Sequence, residues 1–146
     1  MTGFVRHLTA LRKTLPVLRR NRFLTGDAQT IGADLQVKDV TWLAPDGVEM
    51  DAAHWHDPQT RCFGMLLDGR APASSIARPT SDRSVLIVFN GWQDALEFVP
   101  PECPGGAAWT RLVDTALDQQ EDADHMAGER YTVTGRSMLV FATALV

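Results

Sequence analysis

Residues 4–22, FVRHLTALRKTLPVLRRNR, decide how the fold begins, because they have the spacing of one amphipathic helix. The apolar residues alternate steps of four and three, which places them on one stripe of a helix that must pack on an apolar partner. This stripe consists of Phe4, Leu8, Leu11, Leu15 and Leu18. Pro16 disfavours helical geometry at the residue before it, so the main helix should end at Leu15.

The charge of this first segment differs from that of the rest. Six of the 14 Lys and Arg residues lie in it and no acid precedes Asp27, so eight basic residues face 18 acidic ones afterwards. An acid-free, Arg-rich start is also found in nucleic-acid arms and organelle-targeting peptides, which stay as minor alternatives. The acidic remainder makes nucleic acid an unfavourable partner.

Two further classes are disfavoured. The chain has no apolar run long enough for a secretory signal or a membrane span. Cys62 and Cys103 lie far apart and lack metal-ligand or redox spacing, so we expect two buried thiols in a cytoplasmic protein.

After Gly26 the helical spacing gives way to short apolar or alternating runs separated by turn residues, which is typical of antiparallel β structure. The candidate strands are 37–43, 62–67, 85–90, 96–99, 110–114 and 137–142. The sequence APDG at 44–47 should join two strands as a hairpin. A mobile surface loop is expected over 69–83 and a solvated acidic loop over 118–124. The sequence therefore predicts an antiparallel β-sandwich of about six to eight strands preceded by one amphipathic helix.

Six blocks of sequence resemble a known family. They are LRKTLPVLRRNRFLTG, DVTWLAPDGVEM, CFGMLLDG, VLIVFNGWQDALEFVP, WTRLVDT and GRSMLVF. In this order they resemble the C-terminal part of bacterial glycogen debranching enzymes of the isoamylase type, over almost the whole chain. The resemblance implies that 1–25 is the last helix of a catalytic (β/α)₈ barrel and that 26–146 is the all-β domain after it.

The family's chemistry is not carried by this part. Its members hydrolyse α-1,6 linkages with three carboxylates at the barrel strand ends, and none of those neighbourhoods occurs here. We therefore expect no catalytic residue, no cofactor and no activity of the chain alone. The segment with His54, His56 and Asp57 could place its two imidazoles on one side, where a divalent metal would bind, but a third ligand at recognisable spacing is lacking, and no metal is predicted.

The four tryptophans suggest a second class of function. Flat aromatic rings stack on glucose units, and Trp92, after a turn at Asn90 and Gly91, is the best candidate, with Trp55 second. The competing interpretation is that all four are core or domain-interface residues, with Trp55 anchoring its segment against the sheet or against the barrel.

The expected function is thus a non-catalytic domain that stabilises a catalytic barrel, present in cis or in trans. Phe4, Leu8, Leu11 and Leu15 should face the barrel or the sandwich, and a homodimer through this helix is a further hypothesis. The alternatives are an autonomous module that binds glycogen or maltooligosaccharide, and a subunit that pairs with a separately encoded barrel.

Overall fold

The computed structural model describes residues 1–20, 23–31, 33–71, 83–106 and 108–144, which form an N-terminal helix followed by ten antiparallel strands. The helical segments are α1 Thr2–Thr14, a 3₁₀ turn at Pro16–Arg19 and α2 Ala52–His56. The strands are β1 Ala28–Ile31, β2 Leu35–Lys38, β3 Val40–Leu43, β4 Cys62–Leu67, β5 Val85–Asn90, β6 Leu96–Phe98, β7 Trp109–Asp114, β8 Ala123–His125, β9 Tyr131–Val133 and β10 Ser137–Thr143. The predicted class, mainly antiparallel β with a leading helix, is confirmed, with more strands than expected.

Helix α1 ends where the proline predicts. The helix stops at Thr14, the N–H of Leu15 still donates to the carbonyl of Leu11 at 2.9 Å, and Pro16 starts the 3₁₀ turn. Proline suits a first helical position because it has no N–H to leave unsatisfied. No described helix is long and apolar enough to cross a membrane.

A six-stranded sheet in the order β3-β4-β5-β10-β7-β8 is the centre of the fold. Its first face packs against the small β6-β9 sheet, and the buried residues between them include Phe98, Trp109 and Phe141. Gly64 makes room for this packing, because a Cβ there would lie 2.7 Å from Cζ of Phe98. The indole N–H of Trp109 donates to the carbonyl of Pro101 at 2.8 Å, which satisfies the polar atom of a fully buried ring.

The second face of the sheet packs against α1 and the 3₁₀ turn. Leu15 and Val17 are buried among Val40, Val85 and Ala142, with the rest of the helical stripe half-buried beside them. The central sheet is therefore covered on one face by strands and on the other by a helix, which gives a sandwich-like arrangement.

The single strand predicted over 37–43 is wrong, because Asp39 divides it into β2 and β3. The buried carboxylate of Asp39 accepts hydrogen bonds from the backbone N–H groups of Thr25, Gly26 and Val40 at 2.8–3.0 Å. Consequently β2 leaves the central sheet and pairs with β1 in a separate hairpin.

Other differences concern short elements. The turn at 44–47 forms, with Gly47 at φ +84°, but the chain returns only as one bridge between Leu43 and Glu49 instead of a second strand. Strand β8 occupies the end of the predicted acidic loop over 118–124, because it pairs with β7. Strands β1 and β9 and helix α2 had no counterpart among the predicted elements. The loop predicted over 69–83 lies outside the described residues between 72 and 82.

Candidate functional site

The second face of the central sheet has two unequal halves. Val40, Leu67 and Val85 lie against α1 and the 3₁₀ turn and are buried. Because side chains alternate along a strand, the residues two and four positions away point to the same face. Towards the other end of these strands and of β10, the residues of this face are only half-buried and are all apolar or aromatic. Together with Trp55 they form what we call the aromatic surface: Trp42, Trp55, Phe63, Met65, Ile87, Phe89 and Met138.

Ring contacts connect this surface from the sheet edge inward. The ring of Trp55 lies edge-on to Trp42 with centroids 5.7 Å apart, and Trp42 lies 6.0 Å from Phe63. Phe63 and Phe89 are direct cross-strand partners, and their rings stack at 5.1 Å. Offset and edge-on pairs within about 7 Å are favourable arrangements for aromatic rings. The surface is therefore a continuous assembly and not a set of scattered side chains.

Trp55 reaches the surface from the short helix α2. The Asp51 carboxylate accepts from the N–H of His54 at 3.0 Å, and the His54 ring accepts from the N–H of Asp51 at 3.2 Å, which forms a capping box. The bond from the His54 N–H is the main cause that lowers the pKa of Asp51. This cap starts α2 after the turn and directs Trp55, which is 52 % exposed, towards Trp42.

Trp92, the first sequence-based candidate for sugar stacking, lies apart from the aromatic surface. It is half-buried, and the guanidinium of Arg61 lies 4.6 Å from its ring centre. One face of the ring is therefore covered by a cation. Arg61 also lines a pocket of about 310 Å³ whose apolar lining includes Met50 and Leu96. The structure does not bring Trp92 and Trp55 together in one ring cluster.

The predicted interface stripe is integrated into the chain's own core. Leu15 is 1 % exposed, and Phe4, Leu8 and Leu11 are half-buried against the same buried cluster of the sheet. The ring Nε2 of His7 also bonds to the carbonyl of Leu112 at 2.9 Å. The stripe thus packs on the central sheet of this chain, and a contact of the same residues with a barrel or with a second copy stays a prediction.

The buried carboxylates are held by structural bonds. Asp68 receives two bonds from the guanidinium of Arg70, at 3.0 and 2.8 Å, and this pairing raises the pKa of Arg70. Asp114 accepts from the Tyr131 hydroxyl at 3.0 Å and from the N–H of Ala116 at 2.9 Å. Burial is the largest effect on Tyr131 and raises its pKa.

The considered metal-binding residues make local contacts instead. His54 caps α2 through its Nδ1, and the Nδ1 of His56 lies 2.7 Å from the carbonyl of Ala52. Among the residues that the structure describes, no three His, Cys, Asp or Glu side chains are close enough to hold a metal ion.

Both cysteines are buried free thiols. Burial raises the pKa of Cys62 to about 11 and that of Cys103 to about 12. A nucleophilic or metal-binding thiol needs the opposite shift, so these side chains serve packing.

Sequence reasoning did not select Phe63, Met65, Ile87 and Phe89 as candidate site residues. A signal was present, because 62–67 and 85–90 are apolar at nearly every position. Strands that are apolar on both faces are covered on both faces. The position of α1 decides which part of the second face stays only half-buried. The pattern of apolar residues in a strand does not contain that information.

Comparisons with known proteins match most of the chain. Residues 39–142 match the protein family described as "Isoamylase, C-terminal". A "Glycogen operon protein GlgX homolog" of Mycobacterium tuberculosis is 35 % identical over 149 residues, which cover 99 % of this chain and 20 % of that protein. An "Isoamylase" of a Flavobacterium species is 27 % identical over 77 % of this chain and 13 % of its own length. "Isoamylase 2, chloroplastic" of Arabidopsis thaliana is 27 % identical over 80 % of this chain. The chain thus spans about a fifth of the mycobacterial relative.

Proposed function

Because this chain belongs to the isoamylase C-terminal family, we propose that it is the non-catalytic C-terminal β domain of an enzyme that hydrolyses α-1,6 glucosidic branch linkages. Its role in that enzyme is to cover and stabilise the catalytic barrel. The barrel would lie in the same polypeptide or, as the variant of the proposal, in a separately encoded partner.

The observation that carries this proposal is the packing of α1 on the sheet. If α1 is the last helix of a barrel, as its sequence suggests, it is shared by two bodies. Leu15 anchors it in the core of the β domain, and the His7 ring bonds to Leu112 of β7. A helix held in this way cannot unfold together with the barrel without also exposing the face of the central sheet that it covers, so unfolding of the barrel would be opposed by the β domain.

The state of the carboxylates supports a non-catalytic role. Retaining hydrolysis of a glycoside needs two carboxyl groups about 5 Å apart, one of which is kept protonated. Asp39, Asp68 and Asp114, the carboxylates buried in the described part of the chain, each accept hydrogen bonds that hold the fold together. We expect the purified chain to release no maltooligosaccharide from glycogen limit dextrin.

A domain replacement tests the stabilising role. Two variants of the M. tuberculosis relative are compared. In the first, the 146 residues of this chain replace the region that they match; in the second, that region is deleted. We expect the replaced protein to have the higher melting temperature and to resist proteolysis in its remaining part. Equal melting temperatures and equal proteolysis of that part would overturn the proposal.

A glucan-binding module is the second candidate, favoured by two observations. Trp55 is half exposed, and the pocket near α2 shares Arg61 with the ring of Trp92. Native electrophoresis in gels with and without glycogen tests it. Binding predicts retardation that Trp92→Ala or Trp55→Ala abolishes without a change in melting temperature, whereas an unretarded native chain eliminates this candidate.

A further inference from the structure

We propose that the aromatic surface is the site at which the β domain docks on the catalytic barrel. This inference rests on the proposed function and adds to it the specific surface and the chemistry of the partner, an apolar patch of folded protein. It assigns a role to Trp42, Trp55, Phe63 and Phe89. Trp42 also packs against the buried cluster that the stripe on α1 covers, whereas the other three residues are not part of that packing.

The position of the surface favours this partner. Four fifths of the mycobacterial relative lies outside the region that matches this chain, and the matched family is the C-terminal one, so the larger body precedes α1 in the relatives. Helix α1 lies on the same face of the sheet as the aromatic surface. The N-terminal part of α1 lies at the β7 side of this face, where the His7 ring bonds to the carbonyl of Leu112. A body that precedes α1 therefore begins on the face to which Phe63 and Phe89 belong, and it reaches them by extending across the sheet towards β3.

The chemistry of the surface favours a protein over a sugar. Its members are Trp, Phe, Met and Ile, so its conventional hydrogen-bond donors are the two indole N–H groups. A glucan would need partners for many hydroxyl groups beside each stacked ring, because a polar group buried without a partner is costly. Aromatic residues and Met are instead enriched in protein interfaces.

The ring geometry also favours a protein. Trp42 meets Trp55 at 76° and Phe63 at 55°, so these three rings do not form the flat platform on which a chain of glucose units could lie. An uneven surface of inclined rings can interdigitate with the side chains of another protein, as side chains do inside a protein. Phe63 and Phe89, stacked on adjacent strands, lie where anchoring side chains of a partner would pack.

Oxidative footprinting tests the surface directly. Two proteins are exposed to hydroxyl radicals: the isolated 146-residue chain, and the M. tuberculosis relative in which these 146 residues replace the matched region. Oxidation of each residue is measured by mass spectrometry. We expect Trp42, Trp55, Met65 and Met138 to be oxidised more slowly within the larger protein. Met126, which is 59 % exposed and outside the surface, serves as the internal control and should keep its rate.

A matched pair of substitutions tests its energetic role. Trp55→Ser should lower the melting temperature of the larger protein and leave that of the isolated chain nearly unchanged, because Trp55 is half exposed there. Met126→Ser should change neither. Phe89→Ser provides a second variant inside the surface. Its effect on docking is the decrease in melting temperature of the larger protein minus the decrease in melting temperature of the isolated chain.

The outcomes separate this inference from the proposed function. If the unsubstituted chain stabilises the larger protein but the surface residues stay unprotected, the docking surface is wrong and the function stands. If the chain gives no stabilisation at all, the function itself fails. If the surface residues of the isolated chain become protected from oxidation as its concentration rises, the surface belongs to a contact with a second copy. If added maltoheptaose protects them, the surface binds glucan. Either result overturns the inference.

Discussion

The carboxylate of Asp39 accepts a hydrogen bond of 2.8 Å from the backbone N–H of Gly26, and this contact fastens the segment after the 3₁₀ turn to the start of β3. The same carboxylate accepts from Thr25 and Val40, so one buried side chain satisfies three backbone donors. It also explains why the strand predicted over 37–43 is interrupted.

Replacement of this carboxylate should destabilise the fold. We expect Asp39→Ala to lower the free energy of unfolding by about 2–3 kcal/mol, because three backbone N–H groups, that of buried Val40 among them, lose their acceptor. Asp39→Asn, which keeps one acceptor oxygen, should lose less. Urea unfolding followed by tryptophan fluorescence measures both, with exposed Asp34→Ala as the control. Equal stability of Asp39→Ala and Asp34→Ala would contradict this role.

Gly64 should tolerate no larger side chain. In Gly64→Ala the added Cβ would lie 2.7 Å from the ring of buried Phe98, so the β6-β9 sheet would have to move. We expect a loss of about 1–3 kcal/mol, the usual effect of overpacking a core. Gly3→Ala, which meets no atom within 4 Å and lies in α1, should leave stability unchanged or slightly raised. Thermal unfolding of the pair provides the comparison.

Helix α1 should unfold together with the β domain. Leu15 is buried against the second face of the central sheet, so Leu15→Ala should lower the free energy of unfolding by about 2–5 kcal/mol. Val5→Ala, at a position 54 % exposed on α1, should change it by less than about 0.5 kcal/mol. Far-ultraviolet circular dichroism and tryptophan fluorescence should report one common transition. A separate early loss of helix signal would show that α1 is independent of the sheet.

The buried thiols should make stability fall at alkaline pH. In the folded state the pKa is about 11 for Cys62 and about 12 for Cys103, whereas an exposed thiol has a pKa near 9. Between about pH 9 and 11 the unfolded chain therefore binds fewer protons, and the free energy of unfolding decreases as the pH rises. Urea midpoints measured across this range should fall, and should fall less in the variant Cys62→Ala, Cys103→Ala. An identical slope in both proteins would remove the thiols as the cause.

The long apolar strands were predictable because their pattern alone identifies them. The run over 85–90 forms β5 at the predicted residues, and Pro16 ends α1 as expected. Strand β9, at Tyr131–Val133, was missed because its three residues become a strand only through pairing with β6. The break at Asp39 depends on donors at Thr25 and Gly26, whose proximity arises from the tertiary fold.

The candidate site was partly predictable. Trp55 was selected from the sequence, both as an anchor against the sheet or the barrel and as a candidate for sugar stacking, and it lies in the aromatic surface. Phe63 and Phe89 belong to strands whose apolar character is explained equally well by burial. Their half-buried state depends on how much of the sheet α1 covers, which is set by helix length and placement. The sequence pattern distinguishes apolar from polar faces, and it does not distinguish a face filled within the chain from one left for a partner.

The position of β10 in the sheet has a consequence for synthesis on the ribosome. Strand β10 is the last described strand along the chain, yet it lies between β5 and β7 and pairs with both. While the chain emerges, those two strands have edges that cannot be filled until residues 137–143 have left the exit tunnel. Unpaired strand edges are sites of aggregation, so nascent chains that stall before this point should be the ones that chaperones must hold.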